Sequence, residues 1–138
     1  ETIMILVDTS VLIDFLKGQT NAKTLLFDEV LTRDIPFGLS PYTFQEVLQG
    51  ARNEKEYKQL HDYLSTQIIY FLPEEKATYE KAARLYFDLR RKGITPRSTI
   101  DILIALTAVE NKLMLLHNDR DFDLMAEQVD TLRILKMI

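Results

Sequence analysis

An α/β fold with a parallel, helix-covered sheet is the architecture this sequence predicts, and three observations predict it. Short apolar runs recur along the chain, at residues 3–7, 35–39, 68–72, 113–116 and 132–135. Between them lie segments with apolar residues three and four apart, the spacing of amphipathic helices. The first run, Ile-Met-Ile-Leu-Val, has no polar interruption, as expected of a strand buried on both faces. Strands alternating with helices give the βα pattern of a parallel sheet. The 138 residues suit a single domain spanning 1–138. There is no internal repeat, low-complexity tract or linker.

The elements follow in order. After the first strand, Ser10 is placed to cap a helix carrying Val11, Leu12, Phe15 and Leu16, ended by Lys17-Gly18. Residues 21–31 form a second helix with Ala22, Leu25, Leu26 and Val30 on one side. A weaker strand covers 35–39. Ser40-Pro41 is a helix start, cap then proline, and that helix turns Phe44, Val47, Leu48 and Ala51 inward. Residues 53–65 form a polar amphipathic helix. A long helix is expected from Pro73 to Lys92, stopped by Gly93, with Tyr79, Ala82, Ala83, Tyr86 and Leu89 packing into the core. Ser98 caps a helix from Thr99 to about Asn111. Strand 113–116 follows, then a turn through His117 to Phe122 into a last helix.

Composition narrows the class. Hydrophobic residues make up 46% and charged residues 28%, ordinary for a globular chain. Without cysteine there is no disulfide or thiolate site, which fits a cytoplasmic protein. The opening run is short and lacks a basic flank, unlike a signal peptide. The most apolar helical stretch, 102–109, is far shorter than the roughly 20 residues of a membrane span, so no membrane association is expected. Met4 is a candidate first residue, in which case residues 1–3 are additions. The net charge, 17 − 21 = −4, is not that of a general nucleic-acid binder.

Most acids sit among lysines on helix surfaces, as Glu54, Glu56, Glu74, Glu75 and Glu80 do, but a few do not. Asp8 ends the first strand, either as a helix cap or at the mouth of a site, because ligands of open α/β sheets bind beyond the strands' carboxyl ends. Asp101 lies in a helix whose three- and four-residue neighbours are Ile104 and Ala105, with no basic partner downstream. A buried unpaired carboxylate costs several kcal/mol or shifts its pKa. It therefore bonds to helix-start amides or needs a partner from elsewhere, such as a cation. Asp119 and Asp121 follow a strand end as Asp8 does; Asp121 is placed to cap the helix before Phe122, and Asp119 is a turn or site residue. Glu46 lies opposite its helix's apolar face, towards solvent or a wet pocket. Two carboxylates about 4 Å apart repel by about 4 kcal/mol at an effective dielectric near 20. Three or four gathered at the top of a sheet therefore call for a counter-charge. All-oxygen clusters suit Mg²⁺ or Mn²⁺, ions that activate water and stabilise a phosphodiester under in-line attack.

Ile5-Leu6-Val7-Asp8-Thr9-Ser10-Val11-Leu12-Ile13, Ser40-Pro41 through Glu46, Ile100-Asp101-Ile102-Leu103-Ile104-Ala105 and Asn118-Asp119-Arg120-Asp121-Phe122 together resemble the motifs of the PIN-domain ribonucleases. The resemblance is to the VapC type, the toxin of toxin–antitoxin pairs, and their order and spacing agree from end to end. It implies a three-layer αβα fold around a central parallel sheet, RNA cleavage with Mg²⁺ or Mn²⁺, a small VapB-type antitoxin partner whose tail covers the pocket, and a homodimer. Carried over by position, Asp8, Glu46, Asp101 and Asp119 form the acidic pocket, with Asp121 auxiliary and Thr9 or Ser10 supporting Asp8. Asp8, Asp101 and Asp119 would bind the principal ion, and Glu46 would hold the attacking water or a second ion. One departure is His117, where the family often has threonine: it either touches RNA phosphate or is a strand-end residue without a role. Without the four pocket acids the charge is 17 − 17 = 0. Arg90, Arg91, Lys92 and Arg97 precede Asp101; the first three also suit a helix C-terminus, and Arg97 is the better RNA contact. Rival readings are an RNA-processing PIN nuclease, told apart by growth arrest on expression, and a non-catalytic metal-binding module, told apart by Mn²⁺ binding without cleavage. A phosphoacceptor domain built on Asp8 lacks the lysine after a late strand and leaves Asp101 unexplained.

Overall fold

A computed structural model describes residues 3–138. Glu1 and Thr2, part of the segment ahead of the candidate start at Met4, lie outside the described residues. The elements run β1 (Ile5–Val7), α1 (Thr9–Leu16), α2 (Ala22–Thr32), β2 (Phe37–Gly38), α3 (Pro41–Gln49), α4 (Glu54–Leu64), α5 (Lys76–Arg91), α6 (Thr99–Glu110), β3 (Met114–Leu116), α7 (Arg120–Gln128) and β4 (Arg133–Ile134). The four strands form one sheet in the order β2-β1-β3-β4, with every pair parallel.

Alternation along the inner strands sets up the layers, because successive side chains of a strand leave opposite faces. Ile5 and Val7 of β1 and Leu116 of β3 pack with Val11, Leu12, Phe27, Val30, Val47 and Leu64, so helices α1–α4 cover one face. Leu6 and Leu115 point the other way, into a second cluster with Leu89, Ile102, Ile104, Ala105, Phe122 and Met125 from α5, α6 and α7. This is the expected αβα sandwich. Helix α6 is buried without interruption from Ile102 to Ala108. A helix apolar all round belongs in a core, which is why the carboxylate in its first turn stands out.

The order places β1 and β3 side by side at the centre. From β1 the chain moves outward to β2, then returns to lay β3 on β1's other edge. That is a topological switch point, where parallel sheets open a crevice beyond the strand ends. The ladder continues one residue past β1, with the Asp8 amide donating to the Leu116 carbonyl at 2.9 Å. Asp8 is thereby locked beside the turn that carries the last acidic motif.

Several local expectations need correcting. Asp8, not Ser10, is the N-cap of α1; its carboxylate accepts from the Ser10 amide. Asp119, not Asp121, caps α7 and accepts from the Asp121 amide. In α2 the buried residues are Thr24, Leu26, Phe27 and Val30, while Ala22 and Leu25 face solvent. The capping box draws Thr24 inward, since its hydroxyl accepts from the Asn21 amide. Helix α5 begins at Lys76 because a turn intervenes: the Pro73 carbonyl accepts from the Glu75 amide and the Thr78 hydroxyl. Ala82 and Leu89 of α5 are in the core as expected, but Tyr79 is 53% exposed on a groove that it shares with Tyr86, Phe87 and Arg90. The run at 68–72 contributes a single bridge, Ile69 to Leu39.

Candidate metal centre

Four chain segments deliver the acids to one end of the sheet. Asp8 and Asp119 leave the carboxyl ends of the two central strands and each caps the helix that follows. Ser98, accepting from the Ile100 amide, starts α6 so that Asp101 falls in its first turn. Ser40, accepting from the Thr43 amide, starts α3, and Glu46 follows one turn after Thr43. Capping residues and site residues thus belong to the same short stretches.

Carboxylate oxygens of Asp101, Asp119 and Asp121 lie within 4.8 Å of one another. Asp8 is 5% exposed, and its Oδ2 is occupied by Ser10, whose amide donates at 3.1 Å and hydroxyl at 2.6 Å. The same hydroxyl accepts from the Asn118 amide at 2.9 Å, so Ser10 ties Asp8 to the β3–α7 turn. Glu46 does not project idly into solvent: its Oε1 is 2.8 Å from Thr9 Oγ1, which lies 3.0 Å from Thr43 Oγ1. A hydroxyl has one proton. With the Thr9 proton given to Glu46, the Thr43 hydroxyl donates to Thr9, and the Ser40 hydroxyl, 3.3 Å away, donates to Thr43.

The charges bear on one another. Burial, followed by the carboxylates of Asp8, Asp119, Asp121 and Glu46, pushes Asp101 up to about 7. Every one of these influences disfavours its charged form. Burial also raises Asp8, against the hydrogen bonds from Ser10, and Glu46 adds to the rise. Arg97 supplies the cation nearest the cluster. Its Nε is 3.3 Å from Asp121 Oδ2 and its Nη2 3.5 Å from Asp119 Oδ1, with the side chain 79% exposed. Its backbone amide also donates to Asp121. A partner so exposed offsets little of the repulsion at Asp101.

The donor set suits a hard divalent cation. It is all oxygen, its members come from separate elements, and burial and the neighbouring carboxylates both raise the proton affinity of Asp101, which a cation among them would lower. Asp101 and Asp119 of the expected ligands meet in the close trio, together with Asp121; Asp8 stands beside it, its charge the largest carboxylate influence on Asp101. His117 is buried and does not face solvent; burial lowers its pKa. Its Nδ1 accepts from the Asp119 amide at 3.0 Å and its Nε2 is 3.1 Å from Asp123 Oδ1. A ring so buried does not reach an RNA phosphate, the first of the two alternatives read from the sequence. Thr43 and Asp123 escaped the sequence reading altogether. The three-residue steps Ser40, Thr43, Glu46 on one helix were the available signal for the first; nothing local marks the second.

Comparison with known proteins gives the family and the fold. The PIN domain family model matches residues 5–128, and the chain belongs to that family. Among curated relatives, the ribonuclease VapC11 of Mycobacterium tuberculosis is 27% identical over 128 residues, covering 89% of this chain and 92% of the relative. The VapC ribonuclease Mb1587 of Mycobacterium bovis matches to the same extent. Among solved structures, VapBC2 from Rickettsia felis, bound to a promoter DNA fragment, matches with a TM-score of 0.70 at 17% identity, covering 96% of this chain and 98% of that one. FitAcB from Neisseria gonorrhoeae matches at 0.69 and 22%, over the same shares. At these identities the structural likeness establishes the fold.

Proposed function

We propose that this chain is a metal-dependent endoribonuclease and the toxin of a VapBC-type pair. The observation that carries the reading is the convergence of five carboxylates at the sheet's switch point, with Asp101 pushed up to about 7, in a PIN domain. Asp101, Asp119 and Asp121 would hold the cation, with Asp8 completing the shell, and Mg²⁺ or Mn²⁺ suits the oxygen set. When bound, such an ion lowers the pKa of water and stabilises charge on a phosphodiester.

The chain's own residues do the rest. Glu46, with Oε1 engaged by Thr9, keeps Oε2 as the oxygen to receive a proton from the attacking water. Thr9 holds that carboxylate at the site rather than in solvent. Ser10 keeps Asp8 and the Asn118 turn in register. Arg97, exposed at the rim and paired with Asp119 and Asp121, is the side chain we assign to RNA phosphate, which it would be free to reach were a cation held by those carboxylates. A small antitoxin of the VapB type, covering the acidic pocket, is the partner we infer, from the relatives' names; we also infer a homodimer. No helix among the described residues is long and apolar enough to cross a membrane, and we expect the enzyme to act in the cytoplasm, on RNA.

The test uses the purified chain. It should cut RNA with Mg²⁺ or Mn²⁺ and stop with EDTA or with Asp8→Asn, which removes the charge but keeps an N-cap side chain. Cleavage that survives both treatments would sink the mechanism. Growth arrest on expression, relieved by a co-expressed antitoxin, separates a toxin from an RNA-processing enzyme.

A further inference from the structure

One buried side chain touches the acidic turn from beneath and is not among its acids. His117 is 1% exposed, packed against the fully buried Phe122 ring at 5.1 Å between centroids. Both its ring nitrogens are engaged. Nδ1 accepts the Asp119 amide proton at 3.0 Å, so in the neutral ring the proton sits on Nε2. That Nε2–H then donates to Asp123 Oδ1 at 3.1 Å. The contacts therefore select one tautomer, and Asp123, in the first turn of α7, braces the ring from the far side.

The Asp119 amide is a sensitive place to hold. Asp119 is the N-cap of α7, in extended conformation with φ −138° and ψ 121°. Its Oδ1 accepts from the Asp121 amide at 2.9 Å. The Asp119 N–H lies in the peptide plane shared with Asn118, so the bond to His117 fixes that plane, from which the Asp119 carboxylate and the start of the helix bearing Asp121 both depart. One backbone anchor thus governs two of the three oxygens in the close trio.

We propose that His117, braced by Asp123, is a positioning residue that sets the Asp119 amide and through it the Asp119 and Asp121 carboxylates. Its consequence for catalysis rests on the nuclease reading above; its consequence for geometry and cation binding does not.

The experiment compares His117→Asn, His117→Leu and Asp123→Ala in the full chain. Asparagine puts an acceptor oxygen where Nδ1 stands; leucine fills the space without one. Two readouts are used: hydrogen exchange of the Asp119 amide in metal-free protein, and Mn²⁺ affinity by calorimetry. His117→Asn should keep the amide protected and bind Mn²⁺ within about threefold of wild type. His117→Leu should lose protection and bind about tenfold more weakly, the usual effect of removing a group that orients a ligand. Asp123→Ala, at an exposed residue, should fold even where His117→Leu does not, and show a partial loss on both readouts. An Asp119 amide equally protected in wild type, His117→Leu and Asp123→Ala overturns the proposal. Equal losses in His117→Asn and His117→Leu also overturn it, because packing and not the acceptor would then be responsible. Wild-type protein that binds Mn²⁺ but cuts no RNA removes the nuclease reading and leaves this one standing.

Discussion

Asp8 does two jobs with two ends of one residue. Its Oδ2 caps the first turn of α1 and its charge reaches Asp101, so capping the helix does not exclude a place in the site. The same economy holds at Asp119. It also holds on α3, where the buried hydroxyls of Ser40 and Thr43 lead from the cap to Thr9 and Glu46. Thr43→Val tests that line, since it removes one hydroxyl and keeps the volume. Loss of a buried hydrogen bond costs about 1 kcal/mol, so the denaturation midpoint should fall modestly. Cleavage should fall about tenfold, because Thr9 then has no fixed donor and is free to turn away from Glu46. Thr43→Ser should restore both. Unchanged cleavage in the valine variant would show that Thr9 holds Glu46 unaided.

At the scale of elements, the outer strand β2 depends on a residue with no side chain. A Cβ added at Gly38 would lie 2.5 Å from Tyr70 Cε2 and 2.7 Å from the Ile68 carbonyl, so the 68–72 segment passes closer than any other residue permits. Gly38→Ala should destabilise the protein by about 1–3 kcal/mol, the usual cost of overpacking, read as a lower urea midpoint. A midpoint equal to wild type would mean that both the Tyr70 ring and the Ile68 backbone give way freely. That close pass also explains why the run at 68–72 was hard to read. Its apolar residues suggest a strand, yet it makes one bridge and leaves Ile68 and Phe71 largely exposed. The central elements were legible because pattern and packing agree there: β1 and β3 are apolar on both faces and α6 all round. The start of α5 was not, because Pro73 looks like a first-turn proline and only its carbonyl's partners reveal the turn before Lys76. Asp101 was legible as an outlier in an apolar helix. His117 was not, because its role lies in two contacts, one to a backbone amide and one to a residue whose own neighbourhood is unremarkable in sequence.

For the whole molecule, gathering these acids makes stability depend on pH and on cations. In the metal-free protein Asp101 titrates near 7 instead of near its ordinary 3.8, and Asp8 is raised as well. The unfolded chain gives up those protons at lower pH than the folded one. Between about 4 and 7 the folded state therefore binds more protons, and stability falls as pH rises. The buried, neutral His117 acts in the opposite sense: its pKa is lowered, so its contribution falls as pH drops through the region of 6.5. The two are separated by difference. Asp101→Asn removes the Asp101 contribution and leaves His117 in place. In EDTA, the variant's stability relative to wild type should grow from pH 4 to pH 7 and then level off. Added Mn²⁺ should narrow that difference at pH 8, raising wild type by about 2.7 kcal/mol at a hundredfold excess over Kd and the variant by much less. At pH 5 the gain for wild type should be smaller, because the cation then has to displace a proton from Asp101. A wild-type minus variant difference that stays flat from pH 4 to pH 8 would mean that neither burial nor the neighbouring carboxylates raise Asp101, and the cation centre would lose its physical basis.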